Sequence, residues 1–165
     1  MKNKPRAKII KAPNPLIIPN YSVFLAGSIE EGTAVKWRPG VESSLAKLDI
    51  TILNPRRDEW SRDWVQDIEN TEFRQQVNWE LQALEIADRI VMYFDPRTKA
   101  PISLLELGLY AKSGKLIVCC PQTFWRKGNV DIVCKRYNVP QAETINDMID
   151  QIKAWYVACN GGRRS

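Results

Sequence analysis

The sequence predicts a single α/β domain built around a parallel sheet. Short, uninterrupted apolar runs alternate along the chain with longer amphipathic stretches, and each apolar run stops at a turn-forming residue. Runs without polar alternation are typical of strands that are buried on both faces by helices. The length of 165 residues suits one domain, and a hydrophobic content of 44% suffices for a packed core. We therefore expect a flavodoxin-like (Rossmann-type) three-layer sandwich with a five-stranded parallel sheet.

The individual elements follow from apolar spacing and from residues that begin or end helices. The four clearest strands cover residues 23–26, 50–53, 89–94 and 116–120. The expected helices cover residues 39–47, 72–87, 102–112, 129–136 and 145–156. Pro39 suits the first turn of its helix, and Gly114 suits the end of the third. Since ligands of such sheets bind beyond the carboxyl ends of the strands, the loops after the four strands are the places to search for a site.

The ends of the chain differ in composition from the body. We divide the chain into a basic, proline-containing lead-in over residues 1–20, one domain over residues 21–160, and a short basic tail over residues 161–165. The formal charge is +5, but seven of the 24 basic residues lie in the two ends, which leaves 17 against 19 acidic residues in the body. Basic ends are usually solvated, so a nucleic-acid polymer is not the expected partner.

The chain contains no histidine, and this excludes several classes of site. No Ser-His-Asp or Cys-His nucleophile and no imidazole metal site can form, so a general acid or base must be a carboxylate, lysine, tyrosine or cysteine. The four cysteines form no C-x-x-C pair, and Cys119 and Cys120 end an apolar run, as buried free thiols do. No apolar stretch approaches the roughly 18 residues of a membrane span. We expect a cytoplasmic protein with no membrane partner.

Two glutamates are the candidates for acid–base or nucleophilic chemistry. Glu106 lies about one turn inside the third helix, beside three leucines, at the mouth of the predicted sheet. Ser103-x-x-Glu106 is also the pattern of a capping box, although Pro101 suggests an earlier start for the helix. Glu80 borders the apolar stripe of the second helix, and a surface role is its simpler interpretation. From the residues alone, both functional and structural roles stay open.

The loops that follow the first three predicted strands offer groups suited to substrate binding. A single glycine after the first strand permits a sharp turn beside a ligand, and arginines with tryptophan after the second suit phosphate and a stacked base. A charged surface loop is an equally good interpretation of the second segment. The candidate binding residues on these loops are Gly27, Ser28, Asn54, Arg56, Arg57, Asp58, Trp60 and Asp95.

Four segments resemble the nucleoside 2-deoxyribosyltransferase family, in particular its deoxyribosyltransferase-like branch. They are Phe24–Ser28, Asn54–Asp58, Ala87–Asp95 and Ser103–Gly108, and the resemblance spans roughly residues 21–135. It implies that Glu106, in the E-L-G motif, is the nucleophile and that Ser103 matches a family hydroxyl residue. It also implies that Glu80 occupies the position of the carboxylate that helps to protonate the leaving base. The family's sugar-binding aspartate position holds Ala100, so the resemblance does not assign the sugar, and Asn129 is the candidate for contact with a neighbouring subunit.

The implied activity is transfer of a sugar from a nucleoside or nucleotide to a free nucleobase, without metal or organic cofactor. Two carboxyl groups suit this chemistry, because one can form a glycosyl ester while the other donates a proton to the departing base. A homo-oligomer is expected by the same resemblance. An N-glycosidase that uses water as the acceptor is the nearest alternative. A nucleotide-binding or sensing domain without turnover is the alternative from another class.

Overall fold

The computed structural model describes residues 6–29, 36–59, 61 and 63–161. Six strands and five helices lie in these ranges. The strands are β1 (Lys8–Lys11), β2 (Ser22–Gly27), β3 (Thr51–Asn54), β4 (Arg89–Tyr93), β5 (Leu116–Cys119) and β6 (Gln141–Ala142). The helices are α1 (Arg38–Leu45), α2 (Thr71–Ile86), α3 (Pro101–Tyr110), α4 (Lys127–Arg136) and α5 (Ile145–Gly161). None of these helices is long and apolar enough to cross a membrane.

The strands form one all-parallel sheet in the order β1-β3-β2-β4-β5-β6. Without β1, the order of the remaining five strands is 2-1-3-4-5, which is the flavodoxin-like order of doubly wound sheets. The chain changes winding direction between β2 and β4, and ligands of such folds bind at this switch point. The topology therefore directs the search for a site to the carboxyl ends of β2 and β4.

Alternate residues of each strand face opposite helical layers. Phe24, Met92 and their neighbours pack in one buried cluster with α2, α3 and α4. Leu25, Val91 and their neighbours pack in the other with α1 and α5. Because both faces are covered, β2 is apolar and buried after Ser22 and β4 after Arg89, and this is the pattern that the sequence displays.

The predicted α/β fold with a parallel sheet is confirmed, with six strands in place of five. The added strand β1 lies within the basic lead-in and pairs with β3 at the edge of the sheet. Lysines at both ends of this strand give it the composition of a solvated segment, as is common for edge strands. The lead-in also contacts α2, because the indole Nε1 of Trp79 donates a 2.8 Å hydrogen bond to the carbonyl of Asn14.

The helix that carries Glu106 begins before Ser103, as Pro101 suggested. Ala100 is its N-cap residue, with φ of 47° and ψ of 51°, and Pro101 occupies the first turn. Ser103 is therefore inside the helix, and the capping-box interpretation of Ser103 and Glu106 is wrong. The left-handed backbone at a non-glycine residue such as Ala100 is uncommon, and it turns the chain sharply from the β4 loop into α3.

Candidate active site

Gly27 brings β2 and β4 into close contact at the switch point. Its φ is +130°, and a Cβ atom built there would lie 2.3 Å from the carbonyl oxygen of Tyr93. Only glycine fits such a position, because any side chain would collide with the neighbouring backbone. The structure thus explains this glycine by the approach of two strands. A contact between Gly27 and a ligand stays a prediction.

Hydrogen bonds join the loops that follow β2 and β4. The Oγ of Ser28 accepts a 2.9 Å hydrogen bond from the backbone N–H of Asp95 and a 2.8 Å bond from the Oγ1 of Thr98. The carboxylate of Asp95 is buried and forms an ion pair of 2.9 Å with Arg97. Ser28 and Asp95 therefore shape the loops on which α3 is placed, and the substrate contacts predicted for them are untested.

Glu106 is a buried carboxyl group on α3, with 8% of its surface exposed. Burial is the main cause that raises its pKa to about 8, the negative charge of Glu80 raises it further, and the positive charge of Arg38 lowers it. The charges of Glu80 and Arg38 act on Glu106 through space, so the fold gathers these three groups from α1, α2 and α3. Such perturbed carboxyl groups are typical of functional sites.

Glu80 lies on α2 and has an amide partner one turn earlier on the same helix. The Nε2 of Gln76 donates a 2.7 Å hydrogen bond to the Oε1 of Glu80, and a second bond of 2.7 Å to the carbonyl of Pro55. Burial raises the pKa of Glu80, whereas the hydrogen bond from Gln76 and the charge of Arg38 lower it. Because Oε1 is engaged with Gln76, Oε2 is the oxygen that is better placed to carry a proton.

Arg38 is a buried guanidinium at the start of α1. It donates to the backbone carbonyls of Leu25, Gly27 and Ser28, at 3.2, 3.1 and 3.4 Å respectively. Its burial lowers its pKa to about 10, so it stays protonated at neutral pH. A buried cation at the N-terminal end of a helix is unfavourable in itself. Here the three carbonyls and the nearby carboxylates offset that cost.

A cavity of about 560 Å³ opens on the Glu80 side of this cluster. The loop after β3 forms one wall, and α2 contributes Gln76 and Glu80. The described residues that line it are Ile29, Pro55, Arg56, Arg57, Asp58, Ser61, Trp64, Gln66, Gln76 and Glu80. Glu106 is not among them. The cavity is therefore in contact with Glu80.

The loop after β3 combines fixed residues with exposed charges. Asn54 is buried, donates to Glu42 at 2.7 Å, and accepts a 2.9 Å bond from the backbone N–H of Arg56. Arg57 stacks over Trp64, with 5.0 Å from its Cζ to the ring centroid, and donates to Gln75. The structure brings Arg56, Arg57 and Asp58 to the cavity wall, whereas Asn54 holds the turn that presents them.

Two further predicted residues do not line the cavity, and a third is outside the residues that the structure describes. Ser103 is buried on α3, one turn before Glu106. Asn129 is exposed on α4, and its contact with a neighbouring subunit stays a prediction. Trp60 lies outside the described residues. By contrast Asp58, on the cavity wall, is exposed and forms an ion pair of 2.9 Å with Lys11 of β1.

A comparison with family models identifies the family to which the chain belongs. Residues 20–124 match the family described as nucleoside 2-deoxyribosyltransferase like. The chain belongs to this family. The match covers β2 to β5, and so includes both glutamates and the switch point. No curated protein sequence matches the chain significantly.

Two residues of the site, Arg38 and Gln76, are absent from the sequence-based candidates. Nothing in the local sequence marks Arg38 as buried, because its partners are backbone carbonyls of β2 and carboxyl groups on two other helices. For Gln76, the sequence does contain an indication of its role. It precedes Glu80 by four residues, and residues at that spacing on a helix are neighbours on one face.

Proposed function

We propose that this chain is a glycosyl-transfer enzyme that cleaves the N-glycosidic bond of a nucleoside or nucleotide. The observation that carries the proposal is the pair of carboxyl groups Glu106, which is buried, and Glu80, which is partly buried, in a nucleoside 2-deoxyribosyltransferase-like fold. Two carboxyl groups that act on one bond are the usual solution for breaking a glycosidic link. The cavity beside Glu80 offers space for the leaving base.

In the first step, a carboxylate oxygen of Glu106 attacks C1′ of the sugar and forms a glycosyl ester. The C1′–N bond breaks, its electrons pass to the base nitrogen, and that nitrogen takes the proton from Glu80. In the second step, a nitrogen of another base attacks C1′, the ester bond to Glu106 breaks, and Glu80 recovers a proton from the incoming base. The cycle needs no redox partner and returns both carboxyl groups to their initial forms.

The ionisation of the pair is the physical requirement of this mechanism. The nucleophile must be ionised and the acid protonated, yet burial raises the pKa of Glu106 to about 8. Burial also raises the pKa of Glu80, so the pair retains a proton near neutral pH. A base nitrogen that accepts a hydrogen bond from Glu80 favours the proton there, and the cation of Arg38 favours the resulting carboxylate of Glu106.

Transfer to a second base is the proposed outcome, and hydrolysis is the alternative with the same residues. Trp64 lies in the cavity wall with the guanidinium of Arg57 over its ring, and an aromatic wall favours a base over water as the acceptor. Arg56 and Arg57 could instead hold a 5′-phosphate, and this observation favours a nucleotide N-glycosidase as the second candidate. A binding domain without turnover needs no ionisable group at position 106.

We also propose a homo-oligomer, in which Asn129 of one copy approaches the site of another. The exposed face of α3 carries Ile102, Leu105 and Leu109, all more than half exposed, as a surface that a second copy could cover. The cytoplasm is the proposed location, and the four free cysteines agree with a reducing compartment. Light scattering of the purified protein would test the oligomeric state.

The experiment that tests the function is a product analysis with nucleosides and 5′-monophosphates, with and without a second free base. Formation of a new nucleoside in proportion to the added base supports transfer. Free base and free sugar in amounts that the acceptor does not change would support hydrolysis and overturn transfer. If no substrate is cleaved and Glu106→Gln leaves ligand binding unchanged, the enzyme proposal fails and the binding-domain alternative stands.

A further inference from the structure

The amide of Gln76 has a fixed orientation in the cavity wall. Its nitrogen lies 2.7 Å from the carbonyl oxygen of Pro55 and 2.7 Å from the Oε1 of Glu80. A carbonyl oxygen can only accept, so the atom that faces Pro55 must be the NH₂ group. Both of its N–H donors are thereby used, and Gln76 cannot turn over without losing both bonds. Its Oε1 is consequently held on the opposite side as a fixed hydrogen-bond acceptor.

That fixed acceptor is buried and lacks a donor. Gln76 is only 3% exposed, and its Oε1 has no hydrogen-bond partner among the described residues. The Nη1 of Arg57 is a buried donor that likewise has no hydrogen-bond partner among the described residues. Both residues line the cavity that reaches Glu80. Buried polar atoms are nearly always paired, so an unpaired acceptor and an unpaired donor on two residues that line one cavity indicate a ligand with a matching donor and acceptor.

The position of Glu80 indicates which part of a substrate would occupy this cavity. Glu80 is the proposed proton donor to the leaving base, and it lines the cavity, whereas Glu106 does not. The base, rather than the sugar or a phosphate, is therefore the group that would lie between Glu80, Gln76 and Arg57. The edge of a nucleobase carries an N–H donor next to a ring nitrogen or carbonyl acceptor, which complements the two unpaired groups.

We propose that Gln76 and Arg57 read the hydrogen-bonding edge of the leaving base. Gln76 accepts from an N–H of the base through Oε1, and Arg57 donates to the adjacent acceptor through Nη1. This inference rests on the proposed function, since it places the base in the cavity beside Glu80. It makes Gln76 a specificity-determining residue as well as the partner that orients Glu80. Bases that lack the edge donor would leave Oε1 unpaired and would bind more weakly.

The test measures the binding of three free bases by isothermal titration calorimetry. Adenine and hypoxanthine each present an N–H at the edge of the six-membered ring, whereas unsubstituted purine has the same rings with its only N–H on the imidazole ring. We expect the wild-type protein to bind adenine or hypoxanthine roughly 10- to 100-fold more tightly than purine. In Gln76→Leu this preference should fall to less than about threefold, since leucine offers no acceptor. Gln82→Leu, an exposed glutamine on the same helix, is the matched control and should keep the preference.

The preference is a ratio of two dissociation constants, so a partly unfolded variant does not imitate its loss. Gln76→Met provides a second variant if Gln76→Leu is poorly folded. Equal binding of all three bases to the wild type, no binding of any base, or a preference that survives in both variants would overturn the inference. Nucleoside turnover is measured separately. A base preference that depends on Gln76 without any cleavage would refute the proposed function alone, whereas cleavage without such a preference would refute this inference alone.

Discussion

Replacing Glu106 by glutamine should stabilise the fold while it removes activity. Burial and the charge of Glu80 raise the pKa of Glu106 to about 8, against 4.5 for an unperturbed glutamate. Below pH 4.5 both the folded and the unfolded states carry the proton, so the group has no effect on stability. As the pH rises, the unfolded state ionises first, and the folded state loses stability until its own pKa is passed. Glutamine cannot ionise and has nearly the same volume, so the variant avoids this loss.

The size of the effect follows from the two pKa values. Each pKa unit corresponds to about 1.4 kcal/mol, which gives less than about 1 kcal/mol at pH 5, about 3 kcal/mol at pH 7 and about 5 kcal/mol at pH 9. Local relaxation and water entry reduce these figures, and we expect about half of each. For a domain of this size, 1 kcal/mol corresponds to roughly 2–4 °C in melting temperature.

Urea unfolding of the wild type and of Glu106→Gln at pH 5, 7 and 9 measures this gain. Glu85→Gln removes an exposed carboxyl from α2 and is the control for the loss of one negative charge. The gain of Glu106→Gln should grow with pH, and that of the control should stay small throughout. A variant that is less stable than the wild type at pH 9, or a difference that does not change with pH, would refute the reasoning.

Three further predictions concern the chemistry. Glu80→Gln should slow cleavage by roughly 10²–10⁴ for bases that leave poorly and much less for activated leaving groups; an equal deficit for both, measured by initial rates, would contradict a role as general acid. The kcat/KM profile should be bell-shaped, with its alkaline limb near pH 8 where the pair loses its shared proton; a rate that keeps rising through pH 9 would be incompatible with this. Arg38→Met should move the acid limb of that profile upward by roughly one pH unit, because the cation no longer favours the ionised carboxyl groups. Arg38→Lys keeps a positive charge and should move the acid limb less. Unchanged profiles in both variants would show that Arg38 acts only on the backbone of β2.

Much of the fold was predictable because the buried strands carry their own signal. The four central strands read as unbroken apolar runs. The spacing of Phe73, Val77, Leu81 and Leu84 located α2, but of these only Leu84 is buried, and the helix buries Gln76, Trp79 and Ala83 with it. The edge strand β1 was missed because its two lysines resemble the basic lead-in around it. The two-residue strand β6 is too short to produce any pattern.

The candidate site was predictable only where its residues are neighbours in sequence or match the family motif. Glu106 and Glu80 were identified in this way, and the structure places them within reach of each other's charge. The burial of Arg38 depends on carbonyls of β2 and on carboxyl groups of α2 and α3, which no local pattern reports. Ser28 and Asp95 were predicted to contact a substrate. In the structure their hydrogen bonds and ion pair join residues of the loops after β2 and β4.

The central claim is that Glu106 forms a covalent bond to the sugar while Glu80 serves the base. Its most direct test gives a nucleoside with a good leaving group to the wild type and to Glu80→Gln. In the variant the glycosyl ester should accumulate, because no carboxylate at position 80 takes the proton from the incoming nucleobase. Acid quenching and mass spectrometry of the intact protein and its peptides would locate any added sugar. We predict the mass of one sugar residue on the peptide that contains Glu106, and none in Glu106→Gln. A sugar on Glu80 in the wild type, or steady turnover by Glu106→Gln, would contradict the account.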